Sequence, residues 1–207
     1  RMSLASELQQ GITALRLKIS PQDLQRLLDY LALLQKWNKV YNLTALCEPQ
    51  KMVSHHLLDS LAVVPHIEAN HILDVGSGAG LPGIPLAIAR DDWHLTLLDS
   101  SHKKAVFLKQ TAIELKLSNV TVCCERVEAW LPEQKFELII SRAVSDLAEF
   151  VTLSKHLLHE GGRFAAMKGI YPHEEIAQLP CGYRLERVIP LKIPGLKAQR
   201  HLVMVKT

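Results

Sequence analysis

The sequence is poor in features that would assign it quickly. Aromatic residues make up only 5% of it, which argues against a surface built chiefly from rings that stack on nucleobases. The cysteines, Cys47, Cys123, Cys124 and Cys181, show no CxxC spacing, and the adjacent pair is poorly suited to chelate one metal. No metal site is therefore expected, and a reduced, cytoplasmic protein is the simple reading. No run is apolar for long enough to span a bilayer, so no membrane association is expected. The opening RMSLASELQQ has no hydrophobic run of the secretory kind; Arg1, which precedes Met2, is set aside. Internal repeats and low-complexity tracts are missing. Net charge is only +3, a weak lean toward anionic partners that ordinary scatter explains equally well.

What is present is enough apolar material for a core. Of 207 residues, 48% are hydrophobic and 22% charged, which excludes a disordered chain. Residues 1–70 read as helices. Leu4, Leu8, Ile12 and Leu15 recur at helical spacing. Ser20-Pro21-Gln22-Asp23 then offers an N-cap serine, a first-turn proline and an acidic third position. Leu24, Leu27, Leu28, Leu31 and Leu34 follow as a stripe ending near Trp37, best read as core packing.

From His71 the rhythm changes. Short apolar runs at Ile72–Val75, Leu95–Asp99, Val120–Cys123, Phe136–Ser141 and Arg163–Met167 alternate with helical patterns at Ile84–Arg90, Lys103–Lys116 and Leu147–His159. Such alternation predicts an α/β domain whose mostly parallel sheet is covered on both faces. Beyond Gly169, Tyr183–Ile193 and His201–Lys206 read as further strands, an antiparallel edge pair. The expected organisation is a helical N-terminal extension, 1–70, followed by an α/β domain, 71–207.

The stretch HILDVGSGAGLPGIP, His71 to Pro85, contains a literal GxGxxG starting at Gly78. In a dinucleotide fingerprint, however, the first glycine directly follows the strand. That glycine is Gly76, which gives Gly76-x-Gly78-x-x-Leu81, and the literal match starts late with Pro82 inside it. Asp74, two residues before Gly76, would face a pyrophosphate unfavourably. It suits a ligand that carries cationic groups and no phosphate, as S-adenosylmethionine does. Asp99, at the end of the next apolar run, can accept both hydroxyls of a ribose. Alone it would read as a helix cap; beside the glycines it favours a methyl donor.

Several motifs then occur in order: KWNKVYNLT, HHLLDS, DVGSGAGLPGIPLAI, LLDSSHKKAVFL, RVEAW, ISRAV, AMKG and RHLVMVK. Together they resemble the bacterial RsmG (GidB) family, which methylates guanine N7 in small-subunit rRNA. The resemblance covers nearly the whole chain, with GLPGIP and SRAV its most specific parts. It implies a class I S-adenosylmethionine-dependent methyltransferase fold, Rossmann-like and seven-stranded, with a helical N-terminal extension. By position in the motifs, Gly76, Leu81, Val127, Glu128 and Arg142 would contact the cofactor, with Val127 and Glu128 near adenine. One departure is visible: His55 stands where the family usually has arginine or lysine, which would weaken an RNA phosphate contact at neutral pH.

The cofactor set expected from the sequence is thus Asp74, Gly76, Gly78, Leu81, Asp99, Val127, Glu128 and Arg142. Guanine N7 has a free lone pair on the major-groove edge and needs no deprotonation. No general base is required, only placement in a desolvated pocket. The sequence agrees, since Ser141-Arg142-Ala143 stands where amine methyltransferases carry an Asp/Asn-Pro-Pro-aromatic motif. Pro180-Cys181 mimics a pyrimidine-methylating nucleophile but lies beyond the fifth strand, where a structural role fits better. Arg142 is the candidate catalytic residue, positioning the base or steadying the cofactor carboxylate. Arg126, Arg142, Lys168 and Arg200 are the candidate RNA contacts, and Lys103 and Lys104 read equally well as a solvated helix face. The expected partner is 16S rRNA in the small ribosomal subunit, as 30S or pre-30S particles, met by a monomer. A methyltransferase for a small molecule or protein, or a non-catalytic nucleotide-binding module, are the competing readings.

Overall fold

The computed structural model describes residues 2–207. Helix α1, Leu4–Ala14, starts at Ser3, whose side chain accepts from the Ser6 amide. Helix α2, Pro21–Tyr41, starts at Ser20 in the same way and ends where Asn42 turns left-handed. Then come α3, Pro49–Met52, a π-helical turn, Val53–Leu58, α4, Asp59–Leu61, and a 3-10 turn, Val64–His66. A π-helical turn inside a helix is uncommon and often marks a functional site.

The α/β part runs β1 (His71–Val75), α5 (Gly83–Ala89), β2 (His94–Leu98), α6 (His102–Glu114), β3 (Val120–Cys123), β4 (Phe136–Ser141) and α7 (Leu147–Ser154). It continues with β5 (Leu158–Lys168), α8 (His173–Ala177), β6 (Arg184–Leu191) and β7 (Arg200–Lys206). The strands form one sheet in the order β3-β2-β1-β4-β5-β7-β6. Strands β1 to β5 are parallel, and β7 inserts antiparallel between β5 and β6. Strand order reverses between β1 and β4, which opens a crevice at their carboxyl ends.

Alternation along the strands sorts the core into two faces. Ile72, Leu95, Leu97, Leu138, Ile140 and Met204 pack in one cluster with α5, α6 and the N-terminal helices. Leu73, Leu98, Ile139, Phe164, Val203 and Val205 pack on the other side against α7. The helices of residues 4–66 have no separate core: Leu8, Leu27, Leu34, Leu57 and Leu61 belong to the same cluster as the sheet. Among the described residues, no helix is long and apolar enough to cross a membrane.

Two expected boundaries move. The helix over Leu147–His159 stops at Ser154, passes through a 3-10 turn and gives way to β5 at Leu158 rather than Arg163. Pairing of Leu158 with Phe136, and a register shift before Leu138 pairs Arg163, extend the strand across Gly161 at φ +79°. A bulge of this kind overrides local helical periodicity.

Tyr30 ties the two parts together. It is fully buried on α2, and its hydroxyl donates to the carbonyl of Ala79 in the glycine loop at 2.5 Å. Replacing Tyr30 with Phe leaves that buried carbonyl unsatisfied, so Tyr30→Phe is expected to cost roughly 1–3 kcal/mol in denaturant unfolding. Unchanged stability in that measurement would show that the bond carries no weight.

Candidate active site at the carboxyl edge of the sheet

The loop between β1 and α5 is built around two carboxylates. Asp74 Oδ2 accepts from Ser77 Oγ at 2.8 Å and from the Gly83 amide at 2.9 Å. Asp99 Oδ2 accepts from the Gly78 amide at 2.8 Å, and its Oδ1 from the Ser101 amide at 2.9 Å. Gly76 and Gly78 take φ values of +65° and +59°, the left-handed region that glycine enters without steric cost. At Gly83 the constraint is space, because a Cβ would lie 2.2 Å from Leu97 Cδ2 and 2.8 Å from Asp74 Oδ2.

Asp74, expected among the cofactor contacts, has 0% exposure and braces the loop from beneath. Its Oδ1 is buried with no partner, an unspent acceptor of the kind a cationic ligand nearby would favour. Burial pushes the Asp74 carboxyl up to about 8, against the hydrogen bonds from Ser77 and Gly83 and the Arg142 guanidinium, which pull it down. On Asp99, Gly78 and Ser101 use one acceptor site on each oxygen, and each carboxylate oxygen can accept more than one hydrogen bond. Val127 lines a cleft with Gly76, Ser141, Ala143 and Val144, while Glu128 is exposed beside it. Leu81 enters the core with its side chain, and its amide donates to Ser77 O.

The arginines expected at this edge are already engaged. Arg142 ends up just beyond β4, but its guanidinium turns toward the helical cap. It donates to His55 O at 2.9 Å and to His56 Nδ1 at 3.2 Å, with Asp59 Oδ2 at 3.5 Å. Arg200 forks onto both oxygens of Asp59, at 2.7 and 3.0 Å. Lys168 donates to Val144 O and pairs with Glu175, each at 2.9 Å. Lys168 and Arg200, expected as RNA contacts, are thus each paired with a carboxylate of their own chain. Of the expected RNA contacts, only Arg126 is exposed without a side-chain partner among the described residues.

Sequence reasoning missed Asp59 and His56, although it singled out HHLLDS as a unit. Asp59 is 2% exposed and gathers arginines that follow β4 and begin β7. His56 sits on the π-helical turn. Its Nδ1 accepts from Arg142, so Nε2 carries the hydrogen donated to Thr44 Oγ1 at 3.0 Å. Burial, reinforced by Arg142, lowers its pKa to about 4 and keeps it neutral. The signal was an aspartate and two histidines inside an otherwise apolar segment.

A seven-stranded sheet in this order, with its loop at the β1/β4 crevice, defines a class I methyltransferase. The solved structures agree on the fold alone. A methyltransferase from Aquifex aeolicus superposes with TM-score 0.59 at 18% identity, covering 84% of this chain and 98% of its own. The glycopeptide N-methyltransferase MtfA with S-adenosylhomocysteine gives TM-score 0.63 at 12% identity, covering 72% and 86%.

The particular family follows from sequence. The family described as "GidB: rRNA small subunit methyltransferase G" matches residues 23–203. Curated relatives bearing the name ribosomal RNA small subunit methyltransferase G include one from Laribacter hongkongensis, 60% identical over 98% of both chains. Another, from Neisseria meningitidis, is 51% identical over 99% of both. The chain belongs to the rRNA small subunit methyltransferase G family.

Asp74 and His56 act in opposite senses on stability. Asp74, raised from 3.8 to about 8, stabilises the fold at low pH and loses that contribution as pH rises toward 8. His56, lowered from 6.5 to about 4, contributes above 6.5 and loses it as pH falls toward 4. The thermal midpoint of the ligand-free protein should fall between pH 6.5 and 8. Asp74→Asn should flatten that limb and uncover a rise from pH 4 to 6.5; identical profiles for variant and parent would refute the assignment.

Proposed function

We propose that this methyltransferase transfers the methyl group of S-adenosylmethionine to N7 of a guanine in 16S rRNA, on the 30S particle or its precursor. The observation that carries this reading is the meeting, at one edge of the sheet, of the Asp74–Asp99 glycine loop with the partly buried Arg142–Asp59–Arg200 cluster. The first offers Asp99 as an acceptor for a ribose diol and a glycine backbone that a ligand can approach closely. The second fixes Arg142 beside the loop, where a target base would have to be oriented.

When bound, S-adenosylmethionine supplies an electrophilic methyl group on its sulfonium. Asp99 holds the ribose hydroxyls, Val127 and Glu128 the adenine, and the backbone at Gly76, Gly78 and Leu81 the methionine half. Asp74 braces that loop from beneath. Guanine N7 attacks with a lone pair already free, so no side chain has to remove a proton. The neutral His56, with both ring nitrogens engaged, fits such a reaction. Arg142 orients the incoming base, while Asp59 and Arg200 are positioning residues that fix Arg142. Residues 1–70 act as the helical cap of a methyltransferase domain, 71–207. The enzyme works in the cytoplasm as a monomer, and Arg126 contributes a peripheral phosphate contact.

The test is methylation of small subunits from a strain lacking the modification, using labelled donor, followed by mapping of the modified nucleotide. Label at one guanine N7 is expected. Label only on a ribosomal protein or a small molecule would support the competing methyltransferase reading, and tight donor binding without turnover would favour a binding module. Equal rates on protein-free rRNA and on particles would remove the particle preference. Asp59→Asn should lower turnover on the order of a hundredfold by misplacing Arg142, with donor binding nearly unchanged. Full turnover in that variant would dismiss the positioning role.

A further inference from the structure

The carboxyl end of β5 carries a small aromatic lip that nothing in the reaction uses. Ile170 is 73% exposed and Tyr171 36%, on the segment between β5 and α8. Tyr171 stacks on His173 with ring centroids 4.2 Å apart and planes tilted by 36°. Its edge meets His201 of β7 at 5.7 Å and 80°. His201 is itself fixed, because its Nδ1 donates to the carbonyl of Gly169 at 2.7 Å. The rings are thus held in place from α8 and β7, and Tyr171 keeps about a third of its surface open.

Their location points to the occupant. Strand β5 is parallel to β1 and β4, so its carboxyl end lies on the same edge as the glycine loop. Lys168, just before the lip, is bonded to Val144, which lines the cleft with Gly76. His201 directly follows Arg200, whose guanidinium sits on Asp59. The lip is therefore continuous with the proposed substrate edge. The nearby cations Lys168 and Arg200 are neutralised by internal carboxylates, so phosphate attraction at this spot is weak and contact must come from another source. An exposed, pre-oriented ring supplies it by stacking, which every base accepts.

We propose that Tyr171, backed by His173 and His201 and flanked by Ile170, is a stacking platform for an unpaired base of the RNA substrate, near but not at the methylated guanine. The inference rests on the rRNA reading above. Steady-state methyl transfer to small subunits lacking the modification provides one arm. Tyr171→Ala should raise the KM for the particle roughly tenfold, with the KM for S-adenosylmethionine and the thermal midpoint unchanged, and Tyr171→Phe should restore the parent value. An unaltered particle KM in Tyr171→Ala would overturn the platform. The second arm needs no turnover. A photoreactive benzophenone amino acid at position 171 should cross-link to 16S rRNA when the full protein is mixed with the particle. Cross-linking to ribosomal protein only, or to nothing, would overturn the proposal. Failure of the parent enzyme to methylate would instead count against the rRNA reading itself.

Discussion

One buried carboxylate, Asp59, holds two guanidinium groups delivered by strands that run in opposite directions. Arg142 follows a parallel strand, Arg200 begins an antiparallel one, and Asp59 belongs to the helical cap. With His56 neutral, the cluster has one more positive than negative charge, and its members satisfy one another through hydrogen bonds. Removing one partner from such a buried group typically costs about 3–5 kcal/mol, because the remaining charge is left unpaired. The cap is consequently locked to the substrate edge of the sheet by charge, just as the shared apolar cluster locks it to the sheet's face. The π-helical turn makes this possible by bringing His55 O, His56 Nδ1 and Asp59 to the same guanidinium.

The cofactor loop is constrained by the same logic on a smaller scale. Asp74 holds it from below, Asp99 from the neighbouring strand, and Tyr30 from the cap. Each restraint ends on a backbone group, so the loop's shape is fixed even where its side chains are absent. A glycine-rich segment would otherwise lose much entropy on ordering. Its preorganisation is therefore purchased elsewhere in the fold, chiefly by burying Asp74 and Tyr30, both pushed toward their neutral forms by desolvation.

The strands were readable because their apolar runs are bounded by turn residues and alternate with helical spacing. The meaningful register of the glycine loop was readable too, since Asp74 and Gly76 fix where the strand ends. What could not be read is which charges are already spoken for. Arg200 and Lys168 look in sequence like free cations at strand ends; their partners Asp59 and Glu175 stand 141 and 7 residues away. Only for the nearer pair does local sequence hold a hint. Tyr30 sits at helical spacing within a leucine stripe and reads as core, which it is, except that its hydroxyl reaches the loop. The early start of β5 was hidden because strand pairing with Phe136, not local propensity, decides it.

These pairings change how the weak net charge of +3 should be understood. Counting lysines and arginines at the ligand edge overstates the field there, because Asp59 and Glu175 cancel much of it from within. A protein that grips nucleic acid mainly through phosphates loses affinity steeply with salt. One whose edge cations are internally paired depends less on that attraction and more on shape and on contacts with bases. Such a balance disfavours binding to arbitrary RNA and favours a folded target that presents its base in one geometry. The internal carboxylates thus serve selectivity as well as architecture: they place the arginines, and in doing so they withhold them from the wrong partners.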